Sequence, residues 1–246
     1  EENPREDFHL IFKCGMLSRY HRHDDDLNIL LYAYGEHWLI DSGMYNHQQK
    51  DPIRIYMRSP LAHNIPVVNG VNTIRDPSKA KENWGIYEWY QTKECKIVKA
   101  KTGMYKGLNI YREIRVDQKN NILIKDIIIQ KDLPKRPVWL FHVPSDKTIT
   151  KQSNGVNILG KSQILNLEIM QDNLRTVEIY SGFNTMHPSV VSKKQGVLDD
   201  SYVVVIEPFD HNVLEFSFYF SAGKNRAGNG SVLSGNSLCQ GRLCII

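Results

Sequence analysis

The sequence is poor in cysteine, and the four it has form no pattern: Cys14 and Cys95 lie far apart, and Cys239 and Cys244 sit near the C-terminus. Without a Cys-x-x-Cys pair, neither a disulfide framework nor a thiolate metal site is expected, and the thiols read as buried or incidental. Long apolar runs are missing too. The stretch Leu27 to Ile40 is broken by Asn28, Gly35, Glu36 and His37 and is too short and polar to span a bilayer. There is no stripe of Lys and Arg interleaved with aromatics, so nucleic acid is not an expected partner. The first seven residues are polar and the chain does not begin with Met, so no signal peptide is visible and the chain is expected to be a processed form or a fragment. No internal repeat or low-complexity linker occurs, and no helical periodicity persists for three turns.

What is present is an ordinary globular composition. Of the 246 residues, 41% are hydrophobic and 24% charged, enough for a sizeable core. The formal charge of +4 tolerates an acidic partner without demanding one. The dominant periodicity is two. Strands are expected at Phe8–Lys13, Asn28–Tyr34, His37–Asp41, Asn64–Val68, Ile86–Gln91, Lys96–Ala100, Asn109–Val116 and Ile122–Gln130. Further strands are expected at Val138–Val143, Val156–Leu159, Ile164–Ile169, Thr176–Tyr180, Tyr202–Ile206 and Leu214–Phe220. Turns are expected at Gly35-Glu36, Asn69-Gly70 and Asn120-Asn121. Strands at about ten-residue spacing predict an all-β fold, a large antiparallel β-sandwich over residues 1–220. The Gly/Ser/Asn-rich residues 221–246 read as a flexible or loosely docked tail.

The chemistry concentrates between Ser18 and Gly70. His21-x-His23 precedes a strand and is followed by Asp24, Asp25 and Asp26; Asp41 closes the next strand; His63 precedes another. In an extended segment both imidazoles of His-x-His share one face. A hairpin returns the chain so that Asp41 nears the histidines, and the His63 loop closes the group. Two imidazole nitrogens and one carboxylate, with a fourth position open, suit zinc or another divalent ion. The acidic run is a candidate acceptor for a ligating imidazole, against the alternative of a solvated turn.

These residues resemble the signature of the heparinase II/III family of polysaccharide lyases. They are His21-Arg-His23-Asp-Asp25-Asp-Leu27-Asn28, Asp41-Ser-Gly43, Arg54-Ile-Tyr56-Met-Arg58-Ser59 and Ala62-His63-Asn64. Asn28 replaces the family's usual Ser, a departure that reads as peripheral. The resemblance implies one metal per chain on His23, Asp41 and His63, mainly structural and shaping a cleft floor. It places His21 in the active site of an enzyme that cleaves uronate-containing polysaccharides by β-elimination. Tyr45 and Tyr56 become candidate acid/base or positioning groups, with simple packing as the alternative. Arg58 and Asn64 become candidate substrate-binding residues, Arg58 because guanidinium pairs bidentately with carboxylate. The resemblance also implies an N-terminal helical toroid, a partner domain that nothing in this chain resembles, and a periplasmic or secreted home.

Other readings fit the same residues. The chain is alternatively a non-catalytic, metal-stabilised carbohydrate-binding module, or a remnant or split half of a lyase. His21-x-His23-x-Asp25 also resembles the metallo-β-lactamase motif, which continues with His where this chain has Asp26 and precedes a helix rather than a hairpin. A purely structural sandwich is the remaining alternative.

Overall fold

Alternating burial decides the architecture. The computed structural model describes residues 8–15, 21–74, 84–130, 137–170, 174–208, 215–224 and 242–245. In chain order the strands are β1 (Phe8–Lys13), β2 (Asn28–Ala33), β3 (Glu36–Leu39), β4 (Pro66–Val68), β5 (Gly85–Gln91), β6 (Cys95–Thr102), β7 (Leu108–Asp117), β8 (Ile122–Gln130) and β9 (Pro137–Pro144). They continue with β10 (Thr148–Gln152), β11 (Gly155–Leu159), β12 (Gln163–Ile169), β13 (Leu174–Ser181), β14 (Val190–Lys194), β15 (Val197–Pro208), β16 (Glu215–Lys224) and β17 (Arg242–Ile245).

Three sheets result. The four-stranded sheet runs β17-β1-β2-β3, the eight-stranded sheet β10-β11-β12-β16-β8-β7-β6-β5, and the five-stranded sheet β13-β15-β9-β4, with β14 on β15. Pairing is antiparallel except between β1 and β17. β9 is buried along nearly its whole length, because both its faces are covered. Trp139 and Phe141 point to the eight-stranded sheet, where Trp139 stacks on Phe216 at 4.5 Å and Phe141 meets Phe218 edge-on at 5.1 Å. Such offset and edge-on ring pairs join the two layers of the sandwich. The opposite face of β9 carries His142 toward the loop that holds His63.

Local chemistry corrects several details. The β2–β3 turn is Tyr34-Gly35, both at positive φ, and Glu36 begins β3, so the turn lies one residue earlier than Gly35-Glu36. A two-residue hairpin needs left-handed backbone at both positions, which Gly35 supplies freely. β10 and β14, rich in Thr, Lys and Ser, were hidden by weak apolar alternation. A short helix, α1 (Pro52–Met57), falls in the motif region; Asp51 caps it by accepting from the Ile53 and Arg54 amides, and Pro52 opens it. β16 runs to Lys224, past the expected boundary at Phe220, and β17 pairs with β1; residues 225–241 of the expected tail lie outside the described residues.

Two inward positions hold charges. Along β7, Leu108, Ile110, Arg112, Ile114 and Val116 all face the core; along β8, Ile122, Ile124, Asp126 and Ile128 do. Arg112 stands directly opposite Asp126 and pairs with it bidentately, Nε to Oδ1 at 2.7 Å and Nη2 to Oδ2 at 2.6 Å. Trp139 Nε1 donates to the same carboxylate at 2.8 Å. Arg112 Nη1 then donates to the carbonyls of Leu27 and Asn64, at 2.7 and 2.9 Å. The core charge pair is thus tied to the two segments that carry the candidate site.

Candidate metal centre

Three elements converge on one point. The β2–β3 hairpin delivers Asp41 just beyond β3, the turn before β2 delivers His23, and a 3-10 turn at Pro60–Ala62 delivers His63. His23, Asp41 and His63 each offer a ligand atom within 4.8 Å of the others. His63 is fully buried; its Nδ1 lies 2.7 Å from Asp41 Oδ2, and its ring centre is 5.4 Å from that of His23. Among the described residues, His63 Nε2 is buried without a hydrogen-bond partner. Buried polar atoms are rarely left so. Two imidazoles and a carboxylate, with an orphaned buried ring nitrogen among them, fit a divalent ion of the zinc kind.

Burial disfavours the carboxylate charge of Asp41, but His63, through charge and hydrogen bond, and the Gly43 amide outweigh it and hold the carboxyl well below its usual range. Burial likewise lowers His63, yet Asp41 more than compensates and raises it. At His23, burial and the neighbouring His63 prevail over Asp41 and lower the imidazole, which favours the neutral, ligating form.

Amide donors hold Asp41 from two sides. Asn28 Nδ2 donates to Asp41 Oδ2 at 2.8 Å, while its Oδ1 accepts the Asn64 amide at 2.9 Å. The Gly43 amide donates to Asp41 Oδ1 at 2.9 Å. Asn28 is therefore central to the cluster rather than peripheral. The aspartates serve elsewhere. Asp24 accepts from Thr73, Asp25 pairs with Lys13, and buried Asp26 gathers Lys13, the Gly15 amide, Arg22 and Thr102. Asp24 and Asp26 are buried, so the run is not a solvated turn. Partners that orient ligands typically govern metal affinity by 10–100-fold. Asn28→Ala is accordingly expected to weaken zinc binding by about that factor, read by competition against a coloured chelator; unchanged affinity would remove Asn28 from the site.

The remaining sequence candidates scatter. His21 is exposed, at φ 55°, and its ring meets that of His47 at 5.6 Å. The segment before β2 is thus not extended, contrary to the expectation for His-x-His. Tyr45 is half-buried against a small apolar cluster around Met57. Tyr56 lies in that cluster, only 6% exposed, and its hydroxyl donates to the Pro188 carbonyl at 2.8 Å; burial pushes the phenol up, away from acid/base use. Arg58 is half-buried and its Nε donates to the Arg22 carbonyl at 3.0 Å. Asn64 is fully buried: its Nδ2 donates to the Ile29 and Ile40 carbonyls and its Oδ1 accepts the His142 amide. Its side chain ties β2 and β9 to the segment just after β3.

Sequence reasoning missed His142. Its ring is buried between Ser189 Oγ at 3.0 Å and the Leu61 carbonyl at 3.1 Å, and burial followed by repulsion from His63 lowers it to about 3. The Leu61 carbonyl can only accept, so Nε2 donates to it, and a neutral ring then accepts from Ser189 Oγ at Nδ1. The signal was a single His in the apolar run of β9, which by itself reads as core.

An all-β sandwich of stacked antiparallel sheets, with a His/Asp/His cluster behind a β-hairpin, defines the class. The family Heparinase II/III-like, C-terminal, matches residues 3–206, and the chain belongs to that family. Its fold is similar to that of a heparinase III solved with methylated lysines, with 13% identity and a TM-score of 0.72 over 92% of this chain and 36% of that one. It is also similar to the heparan sulfate lyase HepC from Pedobacter heparinus, with 14% identity and a TM-score of 0.68 over 84% of this chain and 32% of that one. The chain thus spans about a third of the length of these solved chains. No curated protein sequence matches it.

Proposed function

We propose that this chain is the β-sandwich part of a polysaccharide lyase acting on uronate-containing acidic polysaccharides by β-elimination, with one divalent metal, zinc by the chemistry of its donors, on His23, Asp41 and His63. The meeting of those three side chains around a buried, unsatisfied His63 nitrogen carries the reading. Bound there, the ion would brace the loops of the cleft floor, as structural metals do.

In the elimination a base takes the C5 proton, the electron pair forms the C4–C5 double bond, the C4–oxygen bond breaks, and an acid protonates the leaving oxygen. Exposed His21 is the candidate imidazole for the proton transfer, by the resemblance and by its open position. Tyr45 is the remaining phenol, since Tyr56 is committed to packing. Arg58 is the candidate partner for the uronate carboxylate. The relatives' lyase names, the acidic substrate and a periplasmic or secreted home support one another; no helix among the described residues is long and apolar enough to cross a membrane.

The burial of Tyr56 and Asn64 favours a second reading for this polypeptide by itself, a metal-stabilised carbohydrate-binding module. Both readings predict little turnover by the isolated chain, because the resemblance implies that the cleft is completed by a helical domain. Heparan sulfate and alginate, assayed by absorbance of the unsaturated product, separate them. Activity that returns when a helical domain is supplied supports the split lyase, glycan binding without cleavage supports the module, and robust turnover by this chain alone overturns the dependence on a helical partner.

A further inference from the structure

A cleft of about 520 Å³ opens on the outer face of the four-stranded sheet and has Asp41 in its wall. Its floor is laid down by strand register. His9 stands opposite Tyr32, and Tyr32 opposite His37, so three rings cross three strands in one row, with ring centres 6.1 and 5.0 Å apart. The next row on the same face pairs Ile11 with Leu30, and the next pairs Lys13 with Asn28, which holds Asp41. From the ring row to the metal end is four residues of strand, roughly 13 Å. Across the cleft Lys193 is exposed and has no ion pair among the described residues, whereas Lys147 serves Glu36 and Asp146.

A half-exposed row of rings on a sheet's outer face is not required by the core, which lies behind Leu10, Leu31 and Ala33. We propose that this cleft is a saccharide subsite that holds the stretch of polysaccharide flanking the metal end; the proposal rests on the lyase reading above. The ring row and the Ile11–Leu30 floor meet the carbon–hydrogen face of a sugar by dispersion and loss of water. Lys193 pairs with a carboxylate or sulfate of the same chain. The size lies within the range of small-ligand sites, and of the acidic groups that line the cleft Glu36 and Asp146 are paired with Lys147 while Asp41 belongs to the metal end.

The test is calorimetric binding of heparan sulfate and alginate oligosaccharides to the zinc-loaded full chain, alongside Tyr32→Ala, Lys193→Glu and, as a remote control on the edge strand β5, Tyr87→Ala. Binding should weaken about tenfold in each cleft variant and stay unchanged in the control. If the wild-type chain binds and the cleft variants bind equally well, the subsite is wrong and the metal-centred reading stands. No binding of either oligosaccharide by the wild type overturns both. Hydrogen exchange on β1 and β2 that is slowed by an added helical domain, and not by sugar, makes the face a domain-docking surface and overturns the subsite.

Discussion

Replacing Arg112 with Met should destabilise the folded protein by about 3–5 kcal/mol. The change leaves the Asp126 carboxyl wholly buried and stripped of both guanidinium bonds, with Trp139 as its remaining donor among the described residues. A buried pair is a weak source of net stability, but half of one is severely destabilising, because desolvation of the remaining charge is no longer offset. Two further carbonyls, Leu27 and Asn64, lose the donor that satisfied them. Leu27 sits at φ 73°, a conformation that disfavours a side chain and persists only where surroundings over-determine it. For a chain of this size the melting temperature should fall by roughly 10 °C. The double variant Arg112→Met, Asp126→Leu should recover most of the loss, since two apolar groups can replace a buried ion pair at little cost. If the single variant melts within a degree or two of wild type, the pair is not a keystone of this core.

That pair also shows how far the sequence could be read. Strand alternation in β7 and β8 places Arg112 and Asp126 on inward positions, and a charge in an otherwise apolar register is itself a sign of a buried partner. The strands were legible because Ile, Val and Leu recur with period two; β10 and β14 were not, because they are edge-like and polar. His23, Asp41 and His63 were named as a set through the family resemblance, and the hairpin explains why Asp41 reaches the histidines. What could not be read was the detail set by tertiary contact. The left-handed φ of His21 turns its ring to His47, and the register of β2 brings Asn28 onto Asp41. Asn64, which follows a ligand in the chain, looked available to substrate; only the arrival of β9 shows that its amide is consumed by Ile29, Ile40 and His142. Loops around a site take their meaning from what packs behind them, and one-dimensional patterns do not contain it.

Loading zinc and then removing it should move the melting temperature as much as any core substitution short of Arg112. A ligand that binds only the folded state stabilises by RT ln(1 + [L]/Kd), about 4 kcal/mol at a thousandfold excess over Kd. For a domain of this length that corresponds to roughly 10 °C. The structural reason is that the ion would join three separate segments, the turn before β2, the end of β3 and the loop after the 3-10 turn, so its loss frees all three. His63→Ala should melt at one temperature with or without chelator, because the fully buried ring with the orphaned nitrogen is gone. Elemental analysis of the wild type should find one ion per chain; two would point to the dinuclear hydrolase chemistry that Asp26, standing where a third histidine would be needed, argues against. Asp26 is already committed to Lys13, Gly15, Arg22 and Thr102, and these bonds anchor it away from the cluster. Identical melting of the wild type in zinc and in chelator, with no ion found, would remove the metal and leave a cluster set by the hydrogen bonds of Asp41 to His63, Asn28 and the Gly43 amide.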